Sequence, residues 1–181
     1  MSSIIVVDVE ATCWAKSDRV AESEIIEIGA VKLDPATYCI LSEFDAFVHP
    51  VIHPVLSDFC VKLTTICQSD VDSAPKFSAA VAAFLSWIGD EHVTLCSWGE
   101  YDLRQFKLDC KRSNFRFPKY LERHHINLKQ EFARQRRIRL CGYVAAMQLL
   151  HIAAAGTHHR GIDDARNIAK LANVVLPKLR T

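Results

Sequence analysis

The sequence predicts an α/β fold, with a mixed β-sheet flanked by α-helices in a single domain that covers residues 1–181. Short β-branched apolar runs come first, and strand and helix signals alternate after them. No internal repeat, low-complexity tract or Gly/Ser/Pro-rich linker divides the chain. The predicted strands lie near residues 4–9, 24–33, 39–48 and 93–97, and the predicted helices near 57–64 and 76–89 precede a mainly helical remainder.

The first predicted strand ends in two acidic residues. Its apolar run, residues 4–7, is short and β-branched without alternation, which is typical of a strand buried on both faces. Asp8 and Glu10 are two positions apart, so their carboxylates share a face. Two like charges held this close are unfavourable unless a divalent cation compensates them. The pair therefore indicates a metal, although an exposed strand end carrying two acids by chance would give the same pattern.

A third acid follows the strand at 93–97. Leu103, Phe106 and Cys110 recur at helical spacing, which places Asp102 in the first turn of a helix. A carboxylate there can act as a metal ligand, but taken alone it is more often a helix cap or dipole partner. Trp98, between the strand and the helix, is interpreted as a core residue and left out of the candidate site.

The last group lies near the C-terminus. Asp163 and Asp164 open a helix whose apolar face begins at Ala165 and Ile168, and His159 lies on the loop before it. A loop histidine with an ordinary pKa of about 6.5 suits proton transfer at neutral pH. A surface histidine followed by capping acids is the structural alternative.

As an ordered set, these residues resemble the DEDDh family of 3′-to-5′ exonucleases. Asp8, Glu10, Asp102 and Asp164 match the four acids, and His159 precedes the last of them by five positions. Within that family the chain is most similar to the Eri1-type exoribonucleases, and the likeness runs from the first strand to the last helix. Supporting segments are residues 8–12, 24–27, 56–60, 63–64, 161–164 and 167–169.

The resemblance implies a ribonuclease-H-like fold and a metal-dependent reaction. We expect hydrolysis at the 3′ end of RNA, single-stranded or with a 3′ overhang, that releases nucleoside 5′-monophosphates. The cofactor would be two Mg²⁺ or Mn²⁺ ions, which hard oxygen ligands bind better than zinc or copper. The implied metal ligands are Asp8, Glu10, Asp102 and Asp164, with Asp8 shared between the two ions. The implied catalytic residues are His159, as the general base, and Glu10. The implied substrate contacts are Glu10, Ala11 and His159.

Two features depart from the family pattern. Thr65 stands where related sequences often carry glycine after Leu-Thr, so the local backbone at Thr65 is in question while the metal ligands are not. The chain also begins at the catalytic strand, so we expect no accessory nucleic-acid-binding domain in it.

The formal net charge of +1 conceals a strong asymmetry. Residues 1–100 carry 5 Lys+Arg and 15 Asp+Glu, a net of −10, whereas residues 101–181 carry 17 and 6, a net of +11. This segregation fits a polyanion that lies across the basic part with its end in an acidic, metal-loaded pocket. We expect a nucleic-acid partner, with RNA preferred over DNA. The basic part includes Arg134, Arg136, Arg137 and Arg139.

Two other functions remain open. The same five residues serve DNA proofreading and repair exonucleases, and the contacts that discriminate the sugar are not visible in a sequence. A catalytically silent nucleic-acid-binding module is disfavoured, because a pure binding surface does not need clustered acids beside a phosphate backbone. The oligomeric state is not predicted.

The composition also bears on location. Seven scattered cysteines without a Cys-x-x-Cys pair indicate reduced core thiols, a cytoplasmic location and no zinc site. The longest apolar stretch, residues 144–155, is too short to cross a bilayer, and the N-terminus lacks the basic segment of a signal peptide. We therefore expect no membrane association.

Overall fold

The first predicted strand forms the middle of the sheet. In the computed structural model, which describes residues 3–16, 21–89 and 92–179, β1 (Ser3–Ala11) pairs antiparallel with β2 (Ile25–Leu33) and parallel with β4 (Val93–Ser97). The edge strands are β3 (Ile40–Phe47), antiparallel to β2, and β5 (His125–Asn127), parallel to β4. The strand order over the described residues is β3-β2-β1-β4-β5, which confirms the predicted mixed sheet.

Helices cover both faces of this sheet. The described ranges contain α1 (Asp58–Thr64), α2 (Gln68–Asp72), α3 (Phe77–Ile88), α4 (Tyr101–Arg112), α5 (Lys119–Arg123), α6 (Leu128–Arg136), α7 (Tyr143–Leu149) and α8 (Gly161–Val175), followed by a 3₁₀ turn at Leu176–Leu179. None of the helices in these ranges has the length and apolar composition needed to cross a membrane.

The apolar run of β1 is buried on both sides, as its lack of alternation predicts. Ile4 and Val6 pack into a core with α6, α7 and α8, whereas Ile5 and Val7 pack into a second core with α3 and α4. Because side chains alternate along a strand, Asp8 continues the face of Ile4 and Val6. The acids at the end of β1 therefore face the helical layer that contains α8.

Helix α8 begins against β2 at two glycines. A Cβ placed on Gly29 would lie 2.0 Å from the carbonyl carbon of Gly161, so only glycine permits this approach of the two backbones. The buried carboxylate of Glu27 accepts a hydrogen bond from the Gly161 N–H (2.9 Å) and forms an ion pair with Arg160 (3.1 Å). These contacts fix the start of α8, and with it Asp164, to the sheet.

Two segments differ from the sequence prediction. The region after α4 was predicted to be mainly helical, but it contains β5, whose three residues are too few to give a periodic signal. Helix α2, five residues long, was not predicted for the same reason.

Thr65 ends α1 with φ +61°, the left-handed conformation that favours glycine, so the residue in question does carry an unusual backbone.

Candidate active site

The five residues of the predicted set line one cavity of about 320 Å³ at the end of β1. Asp8 and Glu10 enter it from the strand and Asp164 from the first turn of α8. One carboxylate oxygen of each of these three residues lies within 4.8 Å of the others. Residues 156 positions apart in the sequence are thus brought together because α8 packs closely on β2 beside β1.

The electrostatics of this cluster call for a cation. Burial, and then the charges of Asp102 and Glu10, raise the pKa of Asp8 well above its usual value. Burial, followed by repulsion from Asp164 and Glu27, raises the pKa of Glu10 to about 9. An all-oxygen, anionic donor set of this kind fits a hard divalent cation, which would hold the carboxylates ionised at neutral pH.

Asp102 lies beside the group of three. Its Oδ1 accepts a hydrogen bond from the backbone N–H of Val9 (3.1 Å), between the two acids of β1. Burial raises the pKa of Asp102 to about 6, although the bond from Val9 opposes the rise. With one oxygen committed to the strand, this carboxylate is suited to complete a metal shell with its other oxygen or through water.

His159 lies at the mouth of the same cavity. Its backbone N–H donates to Asp164 Oδ2 (3.2 Å), and its ring Nδ1 is 3.9 Å from Glu10 Oε1. Its φ of +65° is rare for a non-glycine residue, and strained backbone of this kind clusters at functional sites. Burial, and then the neighbouring His158, lower the pKa of His159, so the neutral imidazole that can accept a proton predominates near pH 7.

Two further residues of the cavity have no assignment from the sequence. The Tyr143 hydroxyl donates to Asp164 Oδ1 and contacts Nδ1 of His158 (2.7 Å). His158 Nδ1 is in turn 3.2 Å from Asp164 Oδ2. Tyr143 is the first residue of the short helix α7, and nothing in its local sequence indicates contact with a residue 21 positions away. The adjacent histidines 158 and 159 were the only available signal.

Other sequence interpretations have mixed outcomes. Trp98 packs against the core, as expected, but it also lines the cavity, as does Tyr101. The indole Nε1 of Trp98 donates to the carbonyl of Cys141 (2.9 Å), which ties the wall of the cavity to the segment before α7. Ala11 is buried at the end of β1 outside the cavity lining, and its carbonyl accepts a weak hydrogen bond from the Cys60 thiol. Its implied substrate contact stays a prediction.

Comparison with known proteins agrees with this geometry. The RNase_T family profile, described as "Exonuclease", matches residues 5–172. ERI1 exoribonuclease 2 of Homo sapiens is 34% identical over 191 aligned residues, covering 93% of this chain and 28% of the relative. The 3′-5′ exonuclease Snipper of Drosophila melanogaster is 31% identical over 94% of this chain and 68% of its own length. The chain therefore spans less than a third of the human relative.

A solved structure gives the same assignment for the fold. The nuclease domain of 3′hExo, a DEDDh family member bound to rAMP, superimposes with a TM-score of 0.90 at 28% identity, covering 98% of this chain and 92% of that one. The predicted ribonuclease-H-like fold and the resemblance to DEDDh 3′ exonucleases are thus confirmed. Enzymes of that family use divalent metals. By sequence, by fold and by the residues that meet at the end of β1, the chain belongs to the RNase_T exonuclease family.

Proposed function

We propose that this chain is a 3′-to-5′ exoribonuclease domain that hydrolyses the terminal phosphodiester of RNA and releases nucleoside 5′-monophosphates. The observation that carries the proposal is the convergence of the Asp8, Glu10 and Asp164 carboxylates beside the ring of His159. The relatives named exoribonuclease and the rAMP bound to the 3′hExo nuclease domain support the choice of RNA.

The cofactor of this proposal is a pair of Mg²⁺ or Mn²⁺ ions. Hard, anionic oxygen donors select these ions over zinc or copper, and three carboxylates with a fourth beside them offer enough oxygens for two ions. When bound, such a pair lowers the pKa of the attacking water and neutralises charge on the leaving oxygen.

The side chains have separate tasks in this reaction. His159, neutral at pH 7, accepts the proton of the attacking water through its ring. Its own backbone N–H holds Asp164, so the base and a metal ligand move as one unit. Glu10, 3.9 Å from the His159 ring, is placed to orient both the ring and the terminal nucleotide. Asp102 holds β1 through Val9 and so fixes the spacing of the two acids on either side.

Three exposed arginines, Arg136, Arg137 and Arg139, form an arginine strip that suits contact with the RNA nucleotides preceding the 3′ end. Arg134 pairs with Glu131, but Arg136, Arg137 and Arg139 are exposed and have no carboxylate within ion-pair distance in the part of the chain that the structure describes. The chain runs from this strip directly into Gly142 and Tyr143, which line the cavity. Three uncompensated cations beside an acidic pocket suit phosphates upstream of the scissile bond.

Digestion of matched 5′-labelled RNA and DNA oligonucleotides, single-stranded and with 3′ overhangs, tests this function. With Mn²⁺ or Mg²⁺ we expect a ladder that shortens from the 3′ end, mononucleotide products carrying a 5′-phosphate, and faster digestion of RNA. Faster digestion of DNA would assign the domain to the proofreading and repair type instead. No cleavage of either polymer with any divalent ion would overturn the proposal.

The arginine strip has its own test. Replacing Arg136 and Arg137 with alanine should weaken binding of long RNA and flatten its salt dependence by about one unit of slope per lost phosphate contact, without affecting a dinucleotide. Arg134→Ala is the matched control, because its charge is already compensated by Glu131. Equal losses on long and short substrates would instead assign the strip to the stability of the fold.

We also propose a cytoplasmic location for the domain. All seven cysteines are free thiols, which supports a reducing compartment. Fractionation of cells that express the tagged chain tests the assignment.

A further inference from the structure

Tyr143 lies where the candidate metal ligand and the two histidines meet. Its side chain is only 7% exposed, and its hydroxyl contacts Asp164 Oδ1 and His158 Nδ1. The carboxylate of Asp164 is therefore held at both oxygens, by the Tyr143 hydroxyl at Oδ1 and by the His159 backbone N–H and His158 Nδ1 at Oδ2. These hydrogen bonds fix the orientation in which the Asp164 carboxylate approaches those of Asp8 and Glu10.

The direction of these hydrogen bonds follows from the number of protons. A phenol has a single proton, and because an ionised carboxylate can only accept, the Tyr143 hydroxyl donates to Asp164. His158 Nδ1 must then be a donor, with the Tyr143 oxygen 2.7 Å away and Asp164 Oδ2 3.2 Å away as its acceptors. Both acceptors require the His158 proton on Nδ1, so this tautomer is set, and Tyr143, His158 and Asp164 form one hydrogen-bonded group.

The same pair also reaches the proposed base. The His158 ring packs edge-on against Tyr143, with ring centres 5.2 Å apart, and its other side stacks on the His159 ring at 3.9 Å. His159 follows directly in the chain with a left-handed backbone, and its ring is also 3.9 Å from Glu10 Oε1, so His158 and Glu10 both contact the ring. Tyr143 thus contacts the candidate metal ligand Asp164 directly through its hydroxyl, and it contacts the proposed base His159 indirectly, through the His158 ring.

We propose that Tyr143 and His158 are positioning residues, which orient Asp164 for the divalent cation and the His159 ring for proton transfer. The inference rests on the proposed function, because it assigns roles toward that reaction. Packing alone does not account for the contact, since phenylalanine would fill the core beside α8 equally well, whereas the buried hydroxyl is directed at Asp164. Outer-shell partners of metal ligands typically change metal affinity or activity by about 10- to 100-fold when they are removed.

Mn²⁺ binding to the RNA-free protein, followed by the electron paramagnetic resonance signal of free Mn²⁺, tests the proposal. Tyr143→Phe keeps the ring and removes the hydroxyl, so the dissociation constant should rise about 10- to 100-fold. The Mn²⁺ concentration needed for half-maximal RNA hydrolysis should rise by the same factor. Tyr120→Phe, on the opposite face of the sheet, is the matched control and should leave both quantities unchanged.

His158 provides a second, independent variant. His158→Ala removes the donor to the Tyr143 oxygen and to Asp164 Oδ2 and should weaken Mn²⁺ binding to a smaller degree, whereas His158→Asn, whose amide can replace the Nδ1–H, should restore it. This rescue would not occur if the ring acted only by filling space, or if it bound the metal through Nε2. Unfolding midpoints measured in EDTA show that each variant is folded.

The outcomes separate this inference from the proposed function. Wild-type Mn²⁺ affinity and a wild-type activation curve for Tyr143→Phe would overturn the inference even if RNA hydrolysis is confirmed. A wild-type protein that binds Mn²⁺ but cleaves no RNA would overturn the proposed function, while the ratio of dissociation constants still decides the role of Tyr143 in holding Asp164. A wild-type protein that binds no Mn²⁺ would overturn both.

Discussion

The geometry of the site depends on the lack of a side chain at Gly29, because the backbones of Gly29 and Gly161 are in close contact. In Gly29→Ala the new Cβ would lie 2.0 Å from the Gly161 carbonyl carbon, 1.4 Å short of the 3.4 Å of an ordinary contact. Both partners are backbone, so no rotation of a side chain can relieve the overlap. The first turn of α8 must therefore move by about an ångström, which stretches the Gly161 N–H bond to Glu27 from its 2.9 Å.

The expected cost combines two effects. Overpacking a closely packed core costs about 1–3 kcal/mol, and losing a hydrogen bond to a buried charged group costs about 1.5–3 kcal/mol. We expect Gly29→Ala to lose about 3–5 kcal/mol of unfolding free energy. Because Asp164 and His159 move with the start of α8, kcat should also fall by about 10²-fold, as misplacement by about 1 Å can do.

Denaturant unfolding in EDTA and single-turnover RNA hydrolysis at saturating Mn²⁺ measure the two effects. Gly142→Ala is the matched control for stability, because its Cβ would meet no atom within 4 Å and its φ of −64° suits alanine. Gly29→Ala with unfolding free energy within about 0.5 kcal/mol of the wild type, the usual effect of a neutral surface change, would refute the close approach of α8 to β2.

Three further predictions follow from the same geometry. His159→Ala should lower kcat at saturating metal by about 10²–10⁴-fold with divalent binding largely retained, whereas His158→Ala should lose less than about 10-fold; reversed phenotypes in steady-state kinetics would move the base to His158. Thr65→Gly should raise the unfolding free energy by about 1 kcal/mol, because a β-branched residue at φ +61° is strained, and an unchanged denaturant midpoint would exclude that strain. Without divalent ions, the unfolding free energy should fall as pH rises from about 5 to about 8, because burial and neighbouring carboxylates raise the pKa of Glu10 from 4.5 to about 9 on folding; Glu10 alone contributes up to about 1.4 kcal/mol per pH unit, and Asp8, whose pKa is also raised, adds to the slope. Glu10→Gln should make this slope shallower, and Mn²⁺ should raise the wild-type melting temperature with the logarithm of its concentration above the dissociation constant.

The sequence predicted the parts of the fold that have local signals. The uninterrupted apolar run of β1 predicts a strand buried on both faces, because an exposed face would carry polar residues at alternate positions. Ile4 to Val7 are indeed buried. The helical stripe that gave α3 is equally local, since Phe84 and Ile88 recur on the face toward the sheet. Strand β5 escaped prediction because three residues do not establish a period.

The site could be predicted only in part, for a related reason. Asp8, Glu10 and Asp164, whose carboxylates converge in the structure, could be predicted as a group because metal chemistry restricts the residue types and the family order fixes their spacing. Tyr143 and Glu27 act through contacts that exist only after α7 and α8 pack on the sheet, and each residue type has many ordinary uses. Long-range hydrogen bonds of this kind leave no periodic trace along the chain.

The proposed hydrolysis requires Asp8 as the ligand that two divalent ions would share. Hydrolysis of a 5′-labelled RNA by Asp8→Ala, measured beside the wild type at saturating Mn²⁺, tests it most directly. We predict no measurable turnover from a variant that remains folded and is at least as stable as the wild type in EDTA, because the substitution removes a carboxylate whose pKa is raised by burial and then by the charges of Asp102 and Glu10. A folded Asp8→Ala protein that shortens RNA from its 3′ end at the wild-type rate would rule out Asp8 as an essential metal ligand.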